Sequence, residues 1–382
     1  MTPVASWSDA HATAWATAGP PAAALTPLGD ASGRVLAAPI VAAAPSPAFD
    51  AAAMDGYAVA GPGPWRVVGR VLAGGPALAG PLAPGEAIEI ATGARVPAGC
   101  QGVVPYEDCH RSGETVAGAV TSPHIRRAGE DAAAGEVLVP SGGPLTAAAA
   151  GLCAQIGVDR VWVYPRPVVD VFVTGDEVIL HGRPSPGQVR DAFGPLLTAV
   201  VARAGGTLRT YAAVPDDAGA LASCLDTSAA DVAVVTGSSS AGAADHLRAV
   251  LDARAAAWPV DGVACRPGHP QTLARTAAGR WVVGLPGNPY AGLVAALTLL
   301  EPLLSALSGR ARRPLPMLPV TGPAATHPAH ARIVPVTTTA DGARIVPGAR
   351  SASLRAAAAA DALAVLDGAW TTGTPAPLLL LP

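Results

Sequence analysis

Lysine is missing from this chain of 382 residues; all 25 basic residues are arginine. Alanine is correspondingly abundant. The two together read as a compositional drift of the whole chain and not as a design for one partner. Charged residues are few, at 14%, and the formal net charge is −3. Bulk attraction to nucleic acid or another polyanion is therefore not expected. The five cysteines (Cys100, Cys109, Cys153, Cys224 and Cys265) are dispersed and form no CxxC pair. An odd, scattered set reads as reduced thiols and excludes a disulfide framework or a cysteine zinc site. No run of about 18 apolar residues is seen that would cross a membrane. The stretch Met1 to Trp15 holds Asp9 and no basic segment, so it does not read as a signal peptide. A soluble, cytoplasmic protein is expected. There is also no Ser/His/Asp nucleophile elbow and no His pair at metal-ligand spacing.

Half of the residues are hydrophobic, so a sizeable core is available, and 43 glycines and 39 prolines punctuate it into short elements. Residues 20–42 read as a short helix and turn. Between 55 and 127, short runs such as Trp65–Val68, Ala87–Ile90 and Gly102–Pro105 alternate with Gly/Pro turns, which predicts a small β-rich domain. An alanine-rich helix is expected over Thr146–Gln155. Beyond Arg166 the character changes. Three continuous apolar runs, Val168–Val173, Asp231–Val235 and Trp281–Leu285, alternate with helices expected over Leu196–Ala204, Asp245–Ala257 and from Ala291. That alternation predicts a parallel sheet covered by helices. Ligands of such sheets sit beyond the carboxyl ends of the strands. The tail from about 308 returns to short strands.

Three unusual loops fall at those strand ends. Thr174-Gly175-Asp176-Glu177 follows the first run. Gly237 to Gly242 follows the second; its amides and hydroxyls suit a phosphate at a helix start, or form an ordinary small-residue turn. Pro286-Gly287-Asn288-Pro289 follows the third and fixes a rigid turn. Glu177 and Asp245 are candidates to hold Mg²⁺ against phosphates, though Asp245 suits a helix start equally well. Asp216-Asp217 reads either as site carboxylates or as a helix N-cap pair. Arg266-Pro267-Gly268-His269 sets two potentially cationic side chains on a tight turn, which suits an oxyanion or simply faces solvent.

In combination with Leu28 to Ala37, Met54-Asp55-Gly56-Tyr57-Ala58, Thr92-Gly93 and Gly129-Glu130-Asp131, these segments resemble the molybdopterin molybdenumtransferase family. The resemblance covers about residues 24 to 382. It implies four domains: an extended one (1–45 and 128–165), a small β-rich one (46–127), an α/β molybdopterin-binding one (166–307) and a C-terminal β domain (308–382). It also implies a homodimer, Mg²⁺, and molybdate and adenylylated molybdopterin as substrates, with AMP released. By position, Asp55, Glu177, Asp216 and Asp245 take catalytic places. Thr92, Thr174, Gly175, Gly237, Ser238, Ser240, Gly242, Pro286, Gly287 and Asn288 take substrate-binding places. Arg266, His269 and Ser351 take molybdate-binding places, with Arg332 a poorly placed fourth. Transient contact with molybdoenzymes or the upstream adenylyltransferase is implied, and neither nucleic acid nor membrane. Several positions depart from the family pattern: Ala51, Ala52, Phe193, Gly262 and Ala291 replace polar side chains, and His269 replaces a lysine. These departures leave two alternatives, a paralogue that binds molybdopterin as a carrier or regulator, and a protein-only assembly subunit for a molybdoenzyme.

Overall fold

Glycine and proline break residues 38–141 into short strands, and six of these pair into one sheet. The structure is a computed structural model and describes residues 4–76, 78–237 and 246–382. Backbone contacts divide it into two compact units: Ala38–Ser141 with Ala147–Val161, and Met1–Ala37 with Gly142–Thr146 and Trp162–Pro382.

The first unit carries the strands Gly56–Val59, Trp65–Val71, Glu86–Ile90, Gly102–Pro105, Cys109–Ser112 and Thr115–Gly118. Side chains alternate across its faces as strand geometry requires. Ala58, Ile88 and Val103 enter one core; Tyr57, Val59 and Val104 enter the other. The expected alanine-rich helix is present over Ala147–Gln155.

In the second unit the strands β1 (Val168–Thr174), β2 (Thr207–Val214), β3 (Val232–Thr236), β4 (Ala257–Asp261), β5 (Thr272–Arg275) and β6 (Trp281–Leu285) form a sheet in the order β2-β1-β3-β6-β5-β4. The first four strands in that order are parallel, whereas β5 and β4 are antiparallel additions at one edge. The sheet is therefore mixed, not wholly parallel. Helices α1 (Phe193–Arg203), α2 (Ala218–Thr227), α3 (His246–Asp252) and α4 (Pro289–Ala295) connect or follow its strands. In α1, Phe193, Leu197, Val200 and Val201 are buried, the helical stripe that covers a sheet. It stops where the Gly206 N–H returns to the Val201 carbonyl. Helix α3 ends near Asp252, short of the expected Ala257, because Ala255 turns left-handed (φ 50°) and Ala257 already belongs to β4.

Helix α4 runs on through a π turn, Ala296–Leu300, into α5 (Glu301–Leu307). Pro302 has no N–H for the Thr298 carbonyl, which gives the widened turn a local cause. This continuous helix, Pro289–Leu307, is long and apolar enough to span a membrane, contrary to the sequence reading, but 89% of its apolar window is buried inside the protein. It is the central core helix, and the indole N–H of Trp7 donates to the Thr298 hydroxyl at 3.0 Å.

The tail strands Met317–Thr321, Ala331–Thr339, Gly342–Ile345, Ala362–Leu366 and Pro375–Leu380 pair in a closed ring. Two strands from elsewhere in the chain, Ala5–Ser6 and Val263–Arg266, extend that sheet. The helix expected within 20–42 is instead a strand, Ala24–Pro27, and a single 3-10 turn, Leu28–Asp30. Pro27 and Gly29 disfavour a longer helix there.

Candidate active site

The carboxyl ends of β1, β3 and β6 converge on one cleft of about 750 Å³. Its wall includes Thr174, Gly175, Glu177, Asp216, Gly237 and Asn288. The loops approach so closely that side chains would not fit. Gly237 has φ +92°, and a Cβ there would lie 2.7 Å from the Thr174 carbonyl oxygen. Its N–H donates to the Leu285 carbonyl at 3.1 Å, which ties the ends of β3 and β6. The Thr174 hydroxyl donates to the Thr236 carbonyl at 2.8 Å. That bond joins β1 to β3, so Thr174 shapes the cleft as well as lining it.

Glu177 is exposed and Asp216 half-buried. No hydrogen bond to either carboxylate is seen among the described residues. The neighbouring Asp217 caps α2, accepting from the Ala220 N–H at 2.7 Å. The adjacent pair therefore divides: Asp217 serves the helix and Asp216 faces the cleft. Asn288 heads α4 without a side-chain cap bond, which leaves its amide exposed to the cleft. Pro286 is buried and off the wall, and Gly287 lies on it. Ser238, Ser240, Gly242 and Asp245 lie outside the described residues.

Sequence reasoning missed Arg190 and Asp191, which also line the cleft. Asp191 accepts from the N–H groups of Phe193 and Gly194 at 3.0 Å each and from the Tyr211 hydroxyl at 2.6 Å. An Asp two residues before an apolar helix start was the available signal. Burial first, then this carboxylate, push the Tyr211 hydroxyl far above its usual range. Phe193 is buried against Gly292 of α4, where a Cβ would collide with its ring. Its apolar character therefore serves the core.

A second, smaller cavity of about 250 Å³ adjoins the other side of the α4 start. Arg266, Arg332, Tyr290 and Ser351 line it. Arg266 and Arg332 sit on paired strands in direct register, which sets the two side by side on this wall. Neither guanidinium has an ion pair among the described residues. The Ser351 carbonyl accepts the N–H groups of Tyr290 and Ala291 at 3.0 and 3.2 Å. Ala352 faces the larger cleft, so one loop and one helix start border both spaces. His269 is not on this wall; its Nδ1–H donates to the Val263 carbonyl at 2.8 Å.

In the other unit, the Thr92 N–H donates to Asp55 Oδ1 at 2.6 Å, and both residues are exposed. The backbone N–H and hydroxyl of Thr92 hold the Asp55 carboxyl below the usual carboxylate range.

Residues 5–157 match the family described as MoeA N-terminal region (domain I and II). Residues 170–306 match the one described as probable molybdopterin binding domain. Molybdopterin molybdenumtransferase 2 of Mycobacterium tuberculosis is 37% identical over 303 residues, covering 74% of this chain and 75% of the relative. The molybdopterin molybdenumtransferase of Synechococcus elongatus is 35% identical over 310 residues, covering 76% of each. Among solved structures, a molybdopterin biosynthesis MoeA protein from Pyrococcus horikoshii aligns over 99% of both chains, with a TM-score of 0.80 and 25% identity.

Proposed function

This chain belongs to the molybdopterin molybdenumtransferase family, and on that premise we propose that it inserts molybdate into adenylylated molybdopterin and releases AMP. Its place is in molybdenum cofactor biosynthesis, as a transferase. The observation that carries the finer reading is the adjacency of two unlike spaces across the start of α4. One is a carboxylate-bearing cleft at strand ends; the other is small and bears two arginines without carboxylate partners.

The cleft's backbone at Gly237 and Gly287 admits a phosphate to close range, as loops at strand ends commonly do. Glu177 and Asp216 both line the cleft, and carboxylates of this kind would hold Mg²⁺, which takes one or two of them with phosphate oxygens. Bound there, Mg²⁺ would polarise the adenylyl phosphate. Asp245, outside the described residues, completes the metal set of this reading. The carboxylates also orient the water that attacks the phosphoanhydride. Arg266, Arg332 and the Ser351 hydroxyl hold the molybdate oxyanion, for which the planar guanidinium fork is suited. Oxyanion and dithiolene then meet near Tyr290. The proposal includes a homodimer, a cytoplasmic location and transient contact with molybdoenzymes or the adenylyltransferase. The relatives' shared transferase identity favours it over a carrier or an assembly subunit.

The test is a comparison of wild type with Glu177→Gln. The variant should bind adenylylated molybdopterin with little change but release AMP at least about tenfold more slowly, the scale of losing one charge-assisted contact. Unchanged AMP release would remove Glu177 from the reaction.

A further inference from the structure

A third cavity, of about 450 Å³, opens between the N-terminal helix Trp7–Ala16, the end of α5 and the strand Pro375–Leu380. It shares no lining residue with the two spaces above. Its size is within the range of small-molecule sites, about 300–1,000 Å³. Four arginines line it, Arg203, Arg310, Arg312 and Arg313, against a single carboxylate, Glu301.

Glu301 is already committed. It accepts from Arg203 at 2.6 Å, and a second nitrogen of Arg203 donates to the Leu380 carbonyl at 2.6 Å. The remaining three guanidiniums have no ion pair among the described residues. The Nε atoms of Arg203 and Arg310 are buried without a hydrogen-bond partner. Burial holds Arg310 below the usual arginine range; Glu301 opposes this, and Arg166 and Arg203 add to it. His11, on the same wall, is pushed down to about 4 by burial and then by Arg312, so it is neutral at pH 7 and contributes no charge. The rest of the wall is largely apolar, with Leu315, Leu378 and Leu379, and includes Ser305.

Crowded like charges with unmet donors in a half-buried space are costly unless an anion is present. A dianion answers three guanidiniums that lack an ion pair among the described residues better than a monoanion does, and a phosphate monoester carries about −1.5 to −2 at neutral pH. The leucines meanwhile leave no reason for a bare ion to fill the space.

We propose that this cavity binds a small phosphate monoester with an apolar body, the phosphate on Arg310, Arg312 and Arg313 and the body against Leu315 and Leu378. The site is independent of the transferase reading, because none of its residues takes part in that chemistry.

Calorimetric titration of the full chain with phenyl phosphate, inorganic phosphate and phenol tests it. Phenyl phosphate should bind saturably, inorganic phosphate at least about tenfold more weakly, and phenol not at all. Arg312 and Arg313 are exposed, so Arg312→Gln/Arg313→Gln should fold normally and weaken phenyl phosphate by about tenfold or more. Arg266→Gln, in the separate small cavity, should leave it unchanged. The proposal is overturned if phenyl phosphate does not bind, if the double variant binds it like wild type, or if Arg266→Gln is the substitution that abolishes it.

Discussion

Asp170 shows how much one side chain can hold in place. It is 2% exposed within β1 and meets Arg209 of β2 through both carboxylate oxygens, with the Ser228 hydroxyl donating at 2.7 Å. Burial alone would push its carboxyl up, but the bonds from Arg209 and Ser228 outweigh it and hold it below the usual range. Asp170→Asn should cost about 1.5–3 kcal/mol, nearer the lower figure because Arg209 is partly exposed. A depressed pKa means the contribution is fully present above the unfolded value of about 3.9 and fades as pH falls through the lower folded value. Urea unfolding at pH 7 and in acid should show the variant's deficit shrinking as pH drops. At Gly237, φ +92° and the Thr174 carbonyl 2.7 Å from a would-be Cβ predict that Gly237→Ala loses about 1–3 kcal/mol. Thermal unfolding measures that, and an unaltered midpoint would mean the loop relaxes freely.

Elements explain which parts of the site were legible. Continuous apolar runs ending in Gly-containing loops identify β1, β3 and β6, so the cleft's position follows from sequence. The edge strands β4 and β5 were not legible, because Ala257–Asp261 contains a proline and follows a helix without a clear stop. Arg190 and Asp191 escaped notice because a capping carboxylate resembles any other helix start. Asn288 is the chain's sole asparagine, and it stands on the cleft wall at the rigid turn. His269 stands off the small cavity's wall, and its ring bonds to the Val263 carbonyl. Removing a cavity-wall cation should matter more than removing this His. Arg332→Gln should raise the molybdate needed for half-maximal turnover by about tenfold or more, whereas His269→Ala should stay within about twofold. A reversed order would move the oxyanion to the His side of the turn.

At the scale of the molecule, the second unit joins an α/β sheet to a closed strand ring through one buried helix, Pro289–Leu307. The start of that helix borders both candidate spaces, so the fold itself brings carboxylates and arginines near one another. The tail strands were legible as strands, but the closure of their ring depends on pairings distant in sequence, which local pattern does not record. Turnover that needs the oxyanion to complete the reaction is the central claim, and AMP release from adenylylated molybdopterin by the purified chain, with and without molybdate, tests it most directly. The account predicts molybdate-dependent AMP release. Tight binding of adenylylated molybdopterin with no release in the presence of molybdate and Mg²⁺ would contradict it.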